Sequence, residues 1–572
     1  MNFGTFDIES ESWVKFRLCG CFDGQTYKHF YKSMDFLDYI NKKQYDRFIW
    51  YAHNGGKFDF LFFLEDIYNR GWKVKYGAQS QGRLIELTII TNTIQFYFRD
   101  SYALLDQSLK DLGKAFNIKH QKKDFKFVEG MKVNPHDKKL QSYLESDCIG
   151  LYEIISCFEQ TKYIDNDISL TIASQALKVF RKHFLDCDLQ KMKLKHDELI
   201  RKYFYAGGRV EVYKGIGKVK HYDVNSLYPS VMLQEMPCGD VVETNSYHKS
   251  KIGFYNVTLR NVPNFYISPL LFRKLDKNGS VKNYFLNGKG EYYLSSSTLN
   301  YLKEEYGINF SVNYGIYFTK KEELFVDYVN TFYKIKSSYD KTNPLYYVSK
   351  KMLNCLYGKF GQELWHESIE YYNGTQENFS TLETDFVNGL VLVKKKNHSR
   401  FIMPYIAAYI TDLARLYHFN IMRINPESIF YCDTDSLFTS DFKTFEKFVG
   451  KKLGQVSSEG IFNGVFVAPK TYALQNKDYE IVKFKGFDSE KFTFNKIKNA
   501  LIQKKSLSFT KTRPLSFKEC LTRKNNILLD HGTFLKVVES KKTASLEYDR
   551  REILEDKKFH FDTRPFERKD FQ

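Results

Sequence analysis

The stretch IFYCDTDSLF, residues 429–438, sets two carboxylates, Asp433 and Asp435, one residue apart between apolar flanks. Apolar and aromatic residues on either side read as strands, and the polar centre reads as the turn of a hairpin. Taken alone, Asp433-Thr434-Asp435 reads as a solvated turn, so its meaning depends on what accompanies it. In YDVNSLYPSVM (222–232), Asp223 ends an apolar strand and is followed by a polar turn and Pro229. Two-metal phosphoryl transfer needs carboxylates from separate strands meeting at one point. They hold two Mg²⁺ about 3.5–4 Å apart, one activating the attacking oxygen and the other stabilising the leaving one. The cations also relieve the repulsion of such a pair and keep both members ionised.

The rest of the chain sets bounds on this reading. Its 572 residues exceed a single compact core, so three or four domains are expected. Hydrophobic residues at 43% and aromatics at 17% suffice for large cores and argue against disorder. A formal charge of +18 points to a polyanionic partner, nucleic acid ahead of a membrane surface. Part of that charge is discounted, because Lys, Asn, Tyr, Phe and Ile recur throughout as an A·T-rich coding sequence would dictate. The nine cysteines are scattered, with no C-x-x-C pair, which argues against structural zinc and fits a reducing compartment. The start, MNFGTFDIESES, has no basic region before an apolar run, and no stretch reaches membrane-spanning length. A soluble protein of the cytoplasm is expected, with no membrane partner.

Along the chain, WVKFRLCGCF and QTYKHFY flank Asp23-Gly24 as a hairpin, and Ser33 is expected to cap a helix over SMDFLDYINKK. RFIWYAHN reads as a buried strand, FDFLFFLEDIYNRG as a helix ended by Gly71, residues 84–99 as a hairpin, and QSLKDLGKAF and QSYLESDCIGLYEIISCFEQ as helices. Together they form an α/β first domain ending near 165. Helix to about 200, strand around GGRVEVYKGIGKVKHYDV, two helices over 326–360 and a helix over MPYIAAYITDLARLYHF lead to the opening hairpin.

DVNSLYP, KKMLNCLYG and YCDTDS, in that order, resemble motifs A, B and C of family B DNA polymerases. YAGG (205–208) resembles the Y-x-G-G motif between exonuclease and polymerase domains, and KTY (470–472) the K-x-Y motif. In the first domain DIE (Asp7, Glu9), NGGKFD (Asn54 to Asp59) and YLESD (Tyr143, Asp147) resemble the three motifs of the proofreading exonuclease. The local geometry agrees: Asp7 and Glu9 share one face of a strand, and Tyr143 and Asp147 one face of a helix.

The chain looks like the protein-primed subgroup of small linear-genome phages, adenoviruses and linear plasmids. That resemblance covers residue 5 to about 475. It implies an RNase H-like 3′–5′ exonuclease domain (1–165) and a right-hand polymerase. The polymerase would comprise palm (166–250 and 401–500), fingers (326–362) and thumb with C-terminal tail (501–572). Two terminal-protein-region insertions would lie at 251–325 and 363–400. It implies replication of a linear viral or plasmid genome in the host cytoplasm, with strand displacement, acting on primer–template and single-stranded DNA and on dNTPs. Mg²⁺, with Mn²⁺ as a substitute, would serve two per site. A separate terminal protein would be the primer, the enzyme standing as a monomer or as a heterodimer with it.

By the same resemblance Asp223 and Asp435 would hold the polymerase metals, assisted by Asp433. Asp7, Glu9, Asp59 and Asp147 would hold the exonuclease pair, with Tyr143 orienting the water. Val224, Tyr228, Lys336, Lys350 and Tyr357 would bind the dNTP, Tyr228 excluding a 2′-hydroxyl and the lysines facing the triphosphate. Lys470 and Tyr472 would hold the primer end, and Tyr205, Gly207 and Gly208 would guide it between sites. Asn54, Phe58, Ser108 and Leu109 would hold the frayed strand, with Phe58 as a stacking surface. Three departures stand out: Cys355 replaces the usual serine of motif B, NGGKFD carries one residue more than the phage pattern, and the tail after Tyr472 matches no small phage thumb closely. A polymerase using ordinary primers or none remains an alternative. So does a non-catalytic DNA-binding protein with a decayed polymerase fold, against which the intact carboxylate sets argue.

Overall fold

The computed structural model describes residues 2–78, 83–125, 132–275, 280–371, 390–396, 399, 401–486, 489–515, 519, 537–544, 546, 548–554 and 561–571. The first unit is a seven-stranded mixed sheet. Its strands are β1 (Phe3–Glu11), β2 (Lys15–Phe22), β3 (Tyr27–Phe30), β4 (Ile49–Ala52), β5 (Lys73–Ala78), β6 (Leu84–Ile90) and β7 (Gln95–Asp100). The spatial order is β3-β2-β1-β4-β7-β6-β5, with β1, β4 and β7 mutually parallel. Its helices are α1 (Ser33–Ile40), α2 (Leu61–Asn69), α3 (Leu109–Ala115) and α4 (Lys138–Glu159). Central parallel strands are covered on both faces, and all four residues of β4 are buried accordingly.

The alternation along β1 positions the chemistry. Phe6 and Ile8 point into an aromatic core, where the Phe6 ring lies 4.9–6.1 Å from those of Phe36, Phe60, Phe63 and Phe98. The opposite face carries Thr5, Asp7 and Glu9. It looks toward α4, to whose Cys148 carbonyl the Thr5 hydroxyl donates at 2.7 Å. Ser33 does not cap α1: it is the first helical residue, the preceding Lys32 makes no side-chain cap, and the Ser33 hydroxyl donates to Asp66 on α2. A serine beside a neighbouring carboxylate has a stronger acceptor than its own helix terminus offers.

After α5 (Ile172–His183) and α6 (Leu194–Leu199), a single π-turn over Ile200–Phe204 delivers the chain to Tyr205. A second seven-stranded sheet is built from β8 (Val210–Val212) and β9 (Ile216–Val224), with the short α7 (Leu227–Val231) after them, and from strands much later in the chain. Between lie β10 (Met236–Thr244), β11 (Gly253–Leu259), β12 (Leu271–Leu275), β13 (Val281–Phe285), β14 (Gly290–Ser295), α8 (Ser296–Tyr306) and β15 (Phe310–Glu322). β10-β15-β11-β14 form one antiparallel sheet. That sheet begins at Met236, ahead of the boundary at 251 read from the sequence.

α9 (Val326–Ser338) and α10 (Pro344–Phe360) follow, the latter with Pro344 in its first turn and Asn343 as its side-chain cap. β16 (Trp365–Tyr371) and β17 (Leu390–Lys396) pair as a hairpin; the rest of the stretch between them lies outside the described residues. α11 (Pro404–Met422) is buried nearly all round, as a helix in the centre of a large core must be. β18 (Ile429–Asp433), β19 (Ser436–Thr439), β20 (Val456–Ala468), β21 (Thr471–Gln475) and β22 (Glu480–Phe484) complete the second sheet, in the order β22-β21-β20-β9-β19-β18-β8. α12 (Phe494–Ile502) and the hairpin of β23 (Leu507–Pro514) with β24 (Val537–Ala544) come next.

The tail then turns back instead of staying with that hairpin. β25 (Glu552–Leu554) pairs with β26 (Asp562–Arg564), and Asp562 bridges to Lys214 beside β9. The Phe571 ring lies 5.5 Å from Phe272 and 4.8 Å from Tyr284, on β12 and β13. Arg551, 1% exposed, donates to the Thr563 hydroxyl and the Tyr266 carbonyl. Among the described residues no helix is long and apolar enough to cross a membrane.

Candidate active sites

The opening hairpin is present as read: β18 and β19 pair antiparallel, with Thr434 at φ +63° in the turn. β19 pairs with β9 so that Ser436 faces Asp223, and the Val224 N–H donates to the Asp435 carbonyl at 2.8 Å. β9 thus ends where the turn begins, and the carboxylates of Asp223 and Asp435 face each other across two neighbouring strands. Burial, then Asp435 and Glu459, push the Asp223 carboxyl up to about 7, against the lowering pull of Lys350. Burial likewise raises Asp435, with Asp433 adding to it. Lys470 covers Asp433 at 3.0 Å, and its N–H donates to the Tyr431 hydroxyl. The Tyr472 ring sits 5.2 Å from that of Tyr431.

Above this centre the Tyr228 and Tyr357 rings stack at 4.2 Å. Lys336 donates to the Ser226 hydroxyl at 2.9 Å and is held below the usual lysine range by burial and by Lys350. Two lysines pressed together beside two carboxylates form a cradle for an anion. The Tyr205–Gly208 loop lies directly against the turn: a Cβ on Gly208 would meet Thr434 at 2.6 Å, and the Thr434 N–H donates to the Arg209 carbonyl at 2.7 Å. Around Gly207 the equivalent space is open. Cys355 is half-buried on α10.

The first domain gathers the second set. Burial, then Asp147, push Asp7 up to about 7; burial, then Asp7 and Asp147, push Glu9 up to about 9. Asp59 and Asp147 are raised as well, chiefly by burial. These mutual effects mean that the four carboxylates share one low-dielectric space. Tyr143 and Lys122 both hydrogen-bond Asp147, and the Lys122 ammonium lies 4.6 Å over the Tyr143 ring. Asn54, at φ +67°, accepts from Arg83 at 3.0 Å, and the Gly56 N–H donates to Asp100. The additional residue of NGGKFD is accommodated here. A Cβ on Gly56 would collide with the Leu84 carbonyl, so only glycine fits the loop.

Phe58 is half-buried against Phe62. Ser108 is engaged as the cap of α3, accepting from the Asp111 N–H and donating to its carboxylate, while Leu109 is mostly buried in the core. Their loop is tied to Asn54's neighbour by a 2.8 Å bond between His53 and the Gln107 carbonyl. Among the described residues the Ser108 hydroxyl bonds Asp111 and none of the four exonuclease-motif carboxylates.

Lys122, Arg83 and Glu459 were not singled out from the sequence. Lys122 sits in HQKKDF, which by itself reads as a solvated charge run. Only the fold returns it to Asp147.

Among the described residues no three acidic, histidine or cysteine side chains already surround one point as a metal ligand set. The donors nevertheless fit a hard divalent cation. They are all carboxylate oxygens, burial and then neighbouring carboxylates raise the proton affinity of Asp7, Glu9, Asp59, Asp223 and Asp435, and the buried Asp147 Oδ1 has no hydrogen-bond partner.

A family model described as DNA polymerase type B, organellar and viral, matches residues 40–142 and 132–447. A probable DNA polymerase of Neurospora intermedia is 29% identical over 569 residues, 84% of this chain and 57% of its own length. The DNA-directed DNA polymerase of Enterobacteria phage PRD1 is 26% identical over 526 residues, 83% of each chain. Among solved structures, Phi29 DNA polymerase complexed with primer-template DNA and incoming nucleotide substrates superposes with a TM-score of 0.73. The identity there is 20%, over 96% of this chain and 100% of that one. The two chains share a fold. This chain spans about half the length of the first fungal relatives it matches, 57% and 43%.

Proposed function

The chain belongs to the type B DNA polymerases of organelles and viruses, and from that premise we propose that it extends DNA primers at the Asp223–Asp435 centre and removes misincorporated 3′ ends at the Asp7–Asp147 centre. The observation that carries the reading is the 2.8 Å bond from the Val224 N–H to the Asp435 carbonyl. It joins the two carboxylate strands at the point where the reaction requires them.

In extension, the primer 3′-hydroxyl attacks the α-phosphorus of the dNTP, and pyrophosphate leaves. Lys336 and Lys350 face the triphosphate and neutralise the leaving charge, as preorganised cations do in a partly buried site. Tyr228, stacked on Tyr357, forms a rigid floor beneath the sugar that leaves no room for a 2′-hydroxyl, with Val224 beside it. Lys470 and Tyr472 hold the primer terminus, and Tyr205, Gly207 and Gly208 steer it between centres. In proofreading, Asn54 and Phe58 hold the frayed strand together with the Ser108–Leu109 edge, and Tyr143 orients the attacking water. Asp223 and Asp435, with help from Asp433, and Asp7, Glu9, Asp59 and Asp147 would hold divalent cations, Mg²⁺ or Mn²⁺, which when bound would supply activation of the attacking oxygen and stabilisation of the leaving one.

Residues 1–165 would then be the exonuclease domain, and the second sheet the palm. α9 and α10 would be the fingers, β16–β17 the second insertion and β23–β24 the thumb. The sheet from Met236 to Glu322 would be the first insertion. That supports priming by a terminal protein and, with the second insertion, strand displacement on a linear viral or plasmid genome.

The test uses a 5′-labelled primer–template and Mg²⁺, with and without dNTPs, for the wild type, Asp435→Ala and Asp7→Ala. Extension lost only in Asp435→Ala, and shortening lost only in Asp7→Ala, support both centres; neither activity in the wild type overturns the reading. Covalent transfer of a labelled dNMP to a Ser, Thr or Tyr hydroxyl of a small partner protein tests the priming step.

A further inference from the structure

The turn that follows the carboxylate strand carries a tryptophan whose position the fold does not require. β1 and β2 are joined through Ser12, Trp13 and Val14, and the Val14 N–H donates to the Glu11 carbonyl at 3.3 Å. Ser12 and Trp13 both have positive φ, +54° and +65°. Glycine, asparagine and aspartate suit such positions, and a bulky residue there is strained. Trp13 is also 54% exposed, although it is a large apolar side chain. Strain and exposure in one large apolar residue are a reason to look for function.

The surroundings say which function. The indole meets the Phe58 ring edge-to-face, with centroids 5.5 Å apart and planes at 81°. Phe58 immediately precedes Asp59, and Trp13 follows Glu9 by four residues on the same hairpin. The two loops that flank the exonuclease carboxylates therefore meet in an open aromatic corner. Lys15, the first residue of β2, and Lys57, beside Phe58 in sequence, are both exposed. An aromatic face beside cations is what receives an unstacked base and its phosphate, whatever the sequence.

We propose that Trp13 is a nucleobase-stacking residue of the exonuclease centre, which with Phe58 holds a base of the single-stranded 3′ segment upstream of the scissile phosphate. The inference rests on the reading of the first domain as an exonuclease. Trp13 touches the bound strand and takes no part in the bond-breaking step, so its loss acts on binding.

The experiment measures Mg²⁺-dependent degradation of a 5′-labelled oligo(dT) by the wild type, Trp13→Ala, Trp13→Phe and Asp7→Ala. Trp13→Ala raises KM about tenfold, a fold-change within the range for loss of one base stack, and leaves kcat within about twofold. Trp13→Phe restores KM to within about threefold of the wild type, because a phenyl face still stacks. Oligo(dT) quenches the intrinsic fluorescence of the wild type more than that of Trp13→Phe. An unchanged KM in Trp13→Ala, or a fall in kcat alone, overturns the proposal while the exonuclease reading stands. If the wild type leaves the strand as intact as Asp7→Ala does, the exonuclease reading falls and this inference falls with it. A protein partner on the same corner would show as loss of partner binding in Trp13→Ala with oligo(dT) kinetics unmoved, which also overturns the proposal.

Discussion

Gly208→Ala tests whether the Tyr205–Gly208 loop sets the position of the polymerase carboxylates. The added Cβ would lie 2.6, 2.8 and 2.9 Å from Thr434 Cγ2, Oγ1 and Cβ. Ordinary carbon contacts begin at about 3.5 Å, so relief requires a shift of about 1 Å. Rotation of the threonine cannot supply it. Its own Cβ is among the clashing atoms, β-branched side chains are stiff, and the Thr434 N–H is fixed to the Arg209 carbonyl at 2.7 Å. The turn must therefore move as a body, carrying Asp433 and Asp435 with it. A 1 Å misplacement at a reacting centre costs about a hundredfold in rate, equivalent to about 2.7 kcal/mol.

The assay is single-nucleotide incorporation at saturating dNTP, with degradation of a single-stranded oligonucleotide by the same preparation as an internal control for folding. Gly208→Ala loses about a hundredfold in extension and keeps its exonuclease rate. Gly208→Ala combined with Thr434→Gly recovers most of the loss, because glycine removes all three clashing atoms and accepts the positive φ. Wild-type extension in Gly208→Ala would refute the reasoning. So would a double variant that stays inactive while Thr434→Gly alone is active, since the defect would then arise elsewhere.

Three further outcomes follow from the same structure. Lys122→Met removes the cation that lowers the proton affinity of Asp7, Glu9 and Asp147; exonuclease activity falls by about a hundredfold and the acid limb of its pH–rate profile moves to higher pH, while extension is unchanged. Asp7 and Asp223, near 7 in the folded chain against 3.8 ordinarily, and Glu9, near 9, bind more protons folded than unfolded. Their contribution is thus fully present below about pH 4 and lost as the pH rises through 7 to 9. In EDTA the melting temperature should fall between pH 6 and pH 9, and Mg²⁺ should raise it more at pH 8.5 than at pH 6; an equal rise at both contradicts the shared carboxylate site. Arg551→Met leaves the buried Glu211 short of a cation 3.9 Å away and the Tyr266 carbonyl without its donor, weakening tail docking by about 3 kcal/mol. Limited trypsin treatment should then release a C-terminal epitope tag well before the rest of the chain is cut.

The parts of this fold legible in the sequence were those governed by short-range rules. The two-residue step that puts Asp7 and Glu9 on one face, the four-residue step of Tyr143 and Asp147, and the hairpin of 429–438 are local periodicities, and each is present. What sequence could not supply was set by long-range closure. Lys122 reads as part of a solvated run until 25 residues of chain return it to Asp147. Ser33 reads as a cap until Asp66, 33 residues on, offers a better acceptor. Nothing local to β10 names its partner, which is β15 some seventy residues later. The tail was least legible of all, because Arg551 and Phe571 find partners at Glu211, Tyr266, Phe272 and Tyr284, hundreds of residues earlier in the chain.

The two centres are not independent modules joined by a linker. One continuous core runs from Phe3, Leu112 and Ile155 of the first domain through Phe180 to Phe332, Leu356 and Tyr405 of the second. Polar ties finish the joint: Asp106 of the first domain meets Tyr347 and Lys351 of α10. The Tyr205–Gly208 loop crosses this seam, and its backbone is pinned from several sides. Arg415 donates to the Ala206 and Gly207 carbonyls at 2.7 and 3.1 Å. Asp412, which accepts from Arg415 on one oxygen, accepts from Ser295 and Thr298 of the inserted sheet and helix on the other. Arg201, just upstream, holds the Gly361 and Gln362 carbonyls at the end of α10. On the function proposed above, a loop fixed this firmly would not carry a primer terminus by swinging between centres. It would act as a rigid sill over which the strand slides. The bare space around Gly207 is what a sugar–phosphate backbone needs for close passage. Transfer between extension and excision would then be governed by how many bases fray from the template, with the loop's position held constant.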